Sequence, residues 1–318
     1  SSTRMPHERP QQFPESRRSL RRLFASFSGG ETSGLMTRLL LTRWRDRWDE
    51  IVVGFANTGE ENEETLAFVE ECDKVFGFNV VWLEAVTHPG RESCTHRVVD
   101  FKTASRKGEP FEDVIAKYGL PGPGRLHCTR ELKLNAMLSY LDSIGWAAGT
   151  YDRAIGIRAD EIERCSPTAT KARIVYPLAH WLPVTKPHVN EFWMKQAFRL
   201  RLTGYQGNCK WCGKQSLRKH MTLLSENPEK YDFPERMDAK YGTVGFEFDE
   251  GKAVYSRRVM FRGNLSTNGL RTAYELNKDS LEKAEDDSIE LPDGGWFPLD
   301  LEEGGCTEAC EVNFEEAA

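Results

Sequence analysis

The residues best suited to chemistry lie in three short stretches, each directly after an apolar run. The first is Ser28-Gly29-Gly30-Glu31-Thr32-Ser33-Gly34. Adjacent glycines let a backbone turn tightly and approach a ligand with no Cβ atom in the way. A helix starting here would offer free N–H groups and the positive end of its dipole to an anion, with hydroxyls from Ser28, Thr32 and Ser33 as further donors. The string also suits an ordinary capped turn. It is not a Walker loop, because no Gly-Lys-Ser/Thr follows. The second stretch is Asn57-Thr58-Gly59-Glu60-Glu61, which also reads as a plain turn. In the third, Gly156-Ile157-Arg158-Ala159-Asp160-Glu161, Arg158 suits a phosphate and Asp160 or Glu161 a metal ion or hydroxyl. Taken alone, that third stretch also fits a surface cluster of ion pairs.

Cysteine supplies the other chemistry. Of eight cysteines, Cys209 and Cys212 form a tight Cys-x-x-Cys, which outside an oxidising compartment favours metal or redox chemistry over structural bridges. Thiolates at this spacing can grip one Zn²⁺ or one iron of a cluster, and Lys210 and Lys214 beside them lower thiol pKa values. A reduced or disulfide-forming pair fits the same spacing. His127, His180, His188 and His220 show no ligand spacing, and Cys72 reads as helix-face packing. Trp44, Trp48, Trp181 and Trp193 read as packing too. Lys210, Lys214, Arg218 and Lys219 fit either a nucleic-acid backbone or a solvated helix face.

These stretches need elements to hold them. Residues 23–27 form an apolar strand, and Leu35, Met36, Leu39 and Leu40 recur behind the first turn at helical spacing. Residues 51–56 read as a buried strand, 63–76 as an amphipathic helix and 79–83 as a third strand. This β-α-β-α-β order predicts an α/β fold, a parallel sheet with helices on both faces. Ligands in such sheets lie beyond the strands' carboxyl ends, where all three stretches fall. Residues 84–125 read as a polar insertion or lid-like loop with one helix over 111–118. Further helices are predicted over 129–144, 191–202, 214–225 and 270–276. Further strands are predicted over 153–157, 173–176, 244–248 and 253–257.

Ser28-Gly-Gly-x-Thr-Ser, Phe55-Ala-Asn-Thr-Gly, Cys128-Thr-Arg-Glu-Leu-Lys, Gly156-Ile-Arg-Ala-Asp-Glu and Tyr176-Pro-Leu occur in an order that resembles the phosphoadenosine phosphosulfate (PAPS) reductase family. That family belongs to the PP-loop adenine nucleotide alpha hydrolases, and the likeness covers about residues 23–235. The resemblance implies a three-layer sandwich with a mostly parallel, doubly wound sheet and a C-terminal accessory region. It implies ATP (or PAPS) across the sheet, its phosphates or sulfate on Ser28, Gly29, Gly30, Thr32 and Ser33, and Asn57, Thr58 and Gly59 along the nucleoside. Arg130, Lys133 and Arg158 would neutralise charge, with Mg²⁺ a helper near Asp160 and Glu161. Ser28, Arg158, Lys133 and Cys128 would carry catalysis. Cys128 would be a third metal ligand beside Cys209 and Cys212. Three thiolates would leave one iron of a [4Fe–4S] cluster open to sulfur, as in some thiolating relatives; a fourth ligand such as Cys165 would close the site, and zinc is the lesser alternative.

The chain departs from the assimilatory reductases. Their Glu-Cys-Gly-Leu-His motif is missing, Cys306-Thr-Glu-Ala-Cys310 being the nearest substitute, and so is the Cys-Cys pair of iron–sulfur adenylylsulfate reductases. The expected function is therefore an ATP pyrophosphatase that adenylates a substrate for sulfur transfer, as in DNA phosphorothioation or tRNA thiolation. A cysteine desulfurase would be the sulfur donor and a nucleic acid a candidate substrate. The alternatives are a thiol-dependent PAPS or adenylylsulfate reductase and a nucleotide-sensing subunit without turnover.

The composition bounds these readings. In 318 residues, 39% are hydrophobic, 29% charged and 11% aromatic, as in globular proteins. No apolar run is long enough to span a bilayer and no secretory pattern is present, which points to the cytoplasm and away from membrane partners. The net charge of −6 is unevenly spread. Residues 1–22 form a basic arm with Arg4, Arg9, Arg17, Arg18, Arg21 and Arg22, and the far end is an acidic tail. The chain is expected to divide into that arm, a PP-loop domain over 23–204 and an accessory region over 205–318.

Overall fold

The computed structural model describes residues 19–90, 93–243 and 258–293. Leu23, Phe24, Ala25 and Phe27 have no exposed surface, so the first apolar run becomes the centre of a sheet. This strand, β1 (Arg22–Ser26), leads into helix α1 (Glu31–Leu41). Then come β2 (Glu50–Ala56), α2 (Glu63–Phe76), β3 (Val81–Val86), β4 (Thr95–Val99) and α3 (Glu109–Tyr118). A single turn α4 (His127–Thr129) runs through a π-helical stretch, Arg130–Asn135, into α5 (Ala136–Ser143). Strands β5 (Asp152–Ala154) and β6 (Ile174–Val175) precede α6 (Lys186–Met194), α7 (Leu217–Glu226), α8 (Asp232–Tyr241) and α9 (Thr267–Asn277).

The protein is α/β, with a six-stranded sheet in the order β4-β3-β2-β1-β5-β6. Every neighbouring pair is parallel except β3 and β4. Side chains alternate across the sheet, and the core follows. Leu23, Ala25, Val53 and Phe55 pack with α1, α2 and Trp193 on one face. Phe24, Ala56 and Leu83 pack with α5 and Tyr176 on the other. Each fully buried Leu or Phe contributes roughly 1.5–3 kcal/mol.

Residues 84–125 do more than the sequence predicts. Thr95–Val99 pairs antiparallel with β3 and closes that edge of the sheet, so the segment is not simply a lid-like loop. The strand is polar and half exposed, which hides it from a search for buried runs. The expected helix is present as α3, and it belongs to a further core with the C-terminal helices. Phe111 stacks on Trp211 at 5.3 Å, and both pack on Phe233. The strands expected over 244–248 and 253–257, the acidic tail, Cys306, Cys310, and Arg4, Arg9, Arg17 and Arg18 lie outside the described residues. Arg21 and Arg22 belong to the fold, paired with Asp49 and Glu50.

His220, one of the histidines without ligand spacing, lies in this third core. Its Nδ1 meets the Tyr231 hydroxyl at 2.7 Å and its ring meets Phe261 edge-on at 5.0 Å. Burial, and then Arg262, pull its pKa from 6.5 down to about 4. The folded protein keeps His220 neutral between these values while the unfolded chain takes a proton. Its contribution is therefore complete above pH 6.5 and is lost as the pH falls toward 4, by roughly 3 kcal/mol at most. Urea midpoints measured from pH 7.5 to 4.5 should fall less steeply for His220→Gln than for the native protein; identical slopes would refute this assignment.

Candidate active site

The chain runs outward from β1 through β2 to β3, then returns to place β5 on the other side of β1. The strand order thus reverses between β1 and β5, and crevices at such points are where open α/β sheets bind ligands. Both elements that leave this point carry residues singled out from sequence. After β1 the loop folds on itself: the Ser28 amide donates to Ser33 Oγ at 3.1 Å, the two serine hydroxyls lie 2.8 Å apart, and Ser33 Oγ donates to the Gly30 carbonyl. Gly29 has φ +81°. Gly30 is the N-cap of α1 and brings no capping side chain to its first turn.

After β5, Arg158 is 5% exposed and reaches across the crevice, its Nη1 donating to Thr32 Oγ1 at 3.3 Å. Asp160 and Glu161 both pair with Arg158, at 2.9 Å and 3.3 Å. They act first as its counter-charges, and Asp160 keeps a partly open side chain.

The second stretch is placed at the carboxyl end of β2. Asn57 is buried and its amide is committed to structure: Nδ2 donates to Glu84 Oε1 and the Ser105 carbonyl, and Oδ1 accepts from the Gly59 amide. Its side chain shapes the turn. Gly59 closes on Gly108, whose amide donates to the Gly59 carbonyl. Thr58 donates to Glu61 at 3.1 Å, and the same carboxylate accepts the Cys209 thiol at 3.3 Å and pairs with Lys133 at 3.6 Å.

What holds these parts together has no local signature in the chain. Asn208 Nδ2 donates to the Ser28 carbonyl at 2.9 Å. The Asn62 amide and side chain donate to the carbonyls of Asn208 and Gly207, and the Lys210 amide donates to the Glu60 carbonyl. Burial pushes the Glu60 carboxyl above its usual range, against the pull of Lys210 and the indole N–H of Trp211. Segment 207–211 is thereby sewn to the loop after β1 and to the turn after β2.

Cys128, Cys209 and Cys212 line one cavity of about 380 Å³, together with Thr58 and Lys133. Lys133 lies on the π-helical stretch and is 7% exposed. Arg130, on the same stretch, instead pairs with Glu131 at 2.9 Å and lies over the Tyr118 ring. The three cysteines share a wall of that cavity. Among the described residues no three His, Cys, Asp or Glu side chains are gathered closely enough to hold a metal ion, and Cys209 is turned to Glu61. No helix among the described residues is long and apolar enough to cross a membrane.

Fold and site define an α/β protein with a glycine turn and a buried arginine on the two sides of a strand-order reversal. The chain is 30% identical over 292 residues to the "Uncharacterized nin region protein ORF290" of Escherichia phage lambda, an alignment that covers 90% of this chain and 93% of that one. It belongs to the family of that phage protein. No family model and no solved structure matches it.

Proposed function

We propose that the protein is an ATP pyrophosphatase of the PAPS reductase-like, PP-loop type, which adenylates a substrate so that sulfur can displace the adenylate. The sheet is then the doubly wound centre of a three-layer adenine nucleotide alpha hydrolase-like sandwich, and the enzyme acts in the cytoplasm. The observation that carries this reading is the bridge from Arg158 to Thr32 across the reversal between β1 and β5, beside a glycine turn that opens a helix.

In this reading an oxygen of the substrate attacks the α-phosphorus of ATP. The bond to the bridging oxygen breaks, and pyrophosphate leaves with the electron pair. The amides at the start of α1, with Ser28, Thr32 and Ser33, hold the departing phosphates, and Arg158 takes up charge between the two sides of the crevice. Lys133 stands beside Thr58 for charge that develops on the attacking side. Asp160 or Glu161 would hold a Mg²⁺ ion, which would supply further neutralisation; the partly open Asp160 carboxylate fits that role. A nucleic acid is the acceptor class and a cysteine desulfurase the sulfur source that this function would require.

The protein given ATP and Mg²⁺ should release AMP and pyrophosphate. ADP and phosphate as the products would remove the reading. The three cysteines on one wall favour a second reading, reduction of PAPS or adenylylsulfate by thiols, and sulfite release from PAPS would select it. Iron, sulfide and zinc analysis after anaerobic purification decides whether the thiols carry a metal.

A further inference from the structure

The cavity beside the turn after β2 has a wall rich in basic and apolar side chains. It is formed by the loop 121–129 with Lys133, the Cys-x-x-Cys turn, and Met260 and Arg262. Its ionisable groups, thiols aside, are Arg125, Lys133, Lys214 and Arg262, with no Asp or Glu among the lining residues. Lys133 is matched by the Glu61 carboxylate at 3.6 Å, so the wall's positive excess comes from Arg125, Lys214 and Arg262, in a chain of net charge −6. Its other groups are largely apolar, including Phe111, Trp211 and Met260. The volume of about 380 Å³ lies in the roughly 300–1,000 Å³ range of small-molecule sites.

Neighbouring groups register the same field. Burial, then Arg130 and Arg258, pull His127 down to about 4. Burial and then Arg258 lower Arg125 as well. Burial is the larger cause in both, and the neighbouring guanidinium groups add to it.

We propose that this cavity takes a small organic anion, a ligand second to the nucleotide and separate from the nucleic-acid acceptor, its charged end toward the Lys and Arg side chains and its apolar body against Met260 and Trp211, with Cys128, Cys209 and Cys212 in its wall. The cavity's role as second to a nucleotide rests on the proposed ATP reaction; its preference for an anion does not. Thr58 belongs both to the turn after β2 and to the cavity wall, which places the anion next to that turn. The Thr58–Glu61–Cys209 contacts tie a thiol of the cavity to that turn.

The test uses two thiol reagents of similar size, anionic 2-sulfonatoethyl methanethiosulfonate and cationic 2-trimethylammonioethyl methanethiosulfonate. Labelling of the full chain is followed peptide by peptide by mass spectrometry. Cys165 is partly exposed and outside the cavity, and gives the reference ratio of rates. At Cys128, Cys209 or Cys212 the anionic reagent should be favoured about tenfold over that reference, because a charged cleft concentrates its counter-charge. The double variant Lys214→Gln/Arg262→Gln, both exposed positions, should bring the ratio back toward that of Cys165. Phenyl phosphate should slow labelling in the native protein. A ratio equal to the reference, a ratio unmoved by the double variant, or absence of protection by phenyl phosphate overturns the proposal. Protection by ATP but not by phenyl phosphate also overturns it, since the cavity would then be part of the nucleotide site. The labelling needs no nucleotide, so a protein that failed to cleave ATP would still show whether the cavity selects anions.

Discussion

Gly29→Val is expected to abolish nucleotide binding, with ATP affinity falling below what equilibrium dialysis detects, while Gly77→Ala leaves affinity unchanged. Both glycines have positive φ, +81° and +65°. A side chain at either position is held in the left-handed region, at a cost of roughly 1–2 kcal/mol. Space separates the two. At position 29 a Cβ would lie 2.6 Å from Thr65 Cγ2, 3.0 Å from the Phe55 ring and 3.2 Å from Val69 Cγ2, whereas at position 77 nothing lies within 4 Å. Thr65, Phe55 and Val69 are themselves buried, so the loop must rise off α2 and β2 instead of the neighbours giving way. That movement would break the Asn208 bond to the Ser28 carbonyl and swing the amides at the start of α1 away from a phosphate. Thermal unfolding should show both variants destabilised, and only Gly29→Val should lose ATP. Native-like ATP affinity in that variant would end the reading of 28–33 as the phosphate site.

Arg199→Met should cost about 3–5 kcal/mol of stability, because it leaves a buried carboxylate without its partner. Glu31, the first residue of α1, has no exposed surface. Arg199 donates to it through Nε and Nη2, both at 3.0 Å, and the Leu200 amide donates at 3.0 Å. Burial pushes the Glu31 carboxyl above its usual range, opposed chiefly by Arg199. Loss of the guanidinium removes that opposition and raises it further. A carboxyl raised in the folded state destabilises the fold above its ordinary value of 4.5, and the penalty is relieved as the pH falls to that value. The gap between native and variant in urea should therefore be wide at pH 8 and narrow toward pH 4.5, and Glu31→Gln/Arg199→Met should recover part of the loss. A gap independent of pH would mean that the Arg199 stem matters only as packing. The pair also bears on the candidate site: an acidic residue opens helix α1, and Arg199 holds its charge inward.

Much of the site could be read from the chain because its signals are local. Two glycines between an apolar strand and a helical repeat mark the first turn, and Asn57-Thr58-Gly59 marks the end of the second strand. Arg158 stands out as a charge directly after an apolar run. The parallel sheet follows from the alternation of strands and helices. What escapes is nonlocal or weakly patterned. β4 is polar and sits at an edge, so its place comes from pairing with β3 and not from its own composition. The π-helical stretch at Arg130–Asn135 sends Arg130 to Glu131 and Lys133 to the cavity, a split that a regular helical reading of 129–144 does not contain. Glu61 and Asn208 join segments far apart in sequence; Glu61 stands in the second stretch, but its partners Cys209 and Lys133 cannot be read from the chain, and Asn208 has no motif of its own. The cysteines are legible as chemistry, but their arrangement is not: spacing suggests shared ligation, whereas folding gives them a common wall and turns Cys209 to a carboxylate.

The stitching of segment 207–211 to Ser28 and Asn62 has a consequence for how such a protein can change over generations. The turn after β1 rests on an amide contact that Asn208 supplies from the last half of the sequence, so neither half is a portable module. Recombination that exchanged the cysteine-bearing half for another would sever the Asn208 and Asn62 bonds together and leave the turn without its brace. Lineages must then inherit both halves as one unit, in keeping with the near end-to-end alignment to the phage protein.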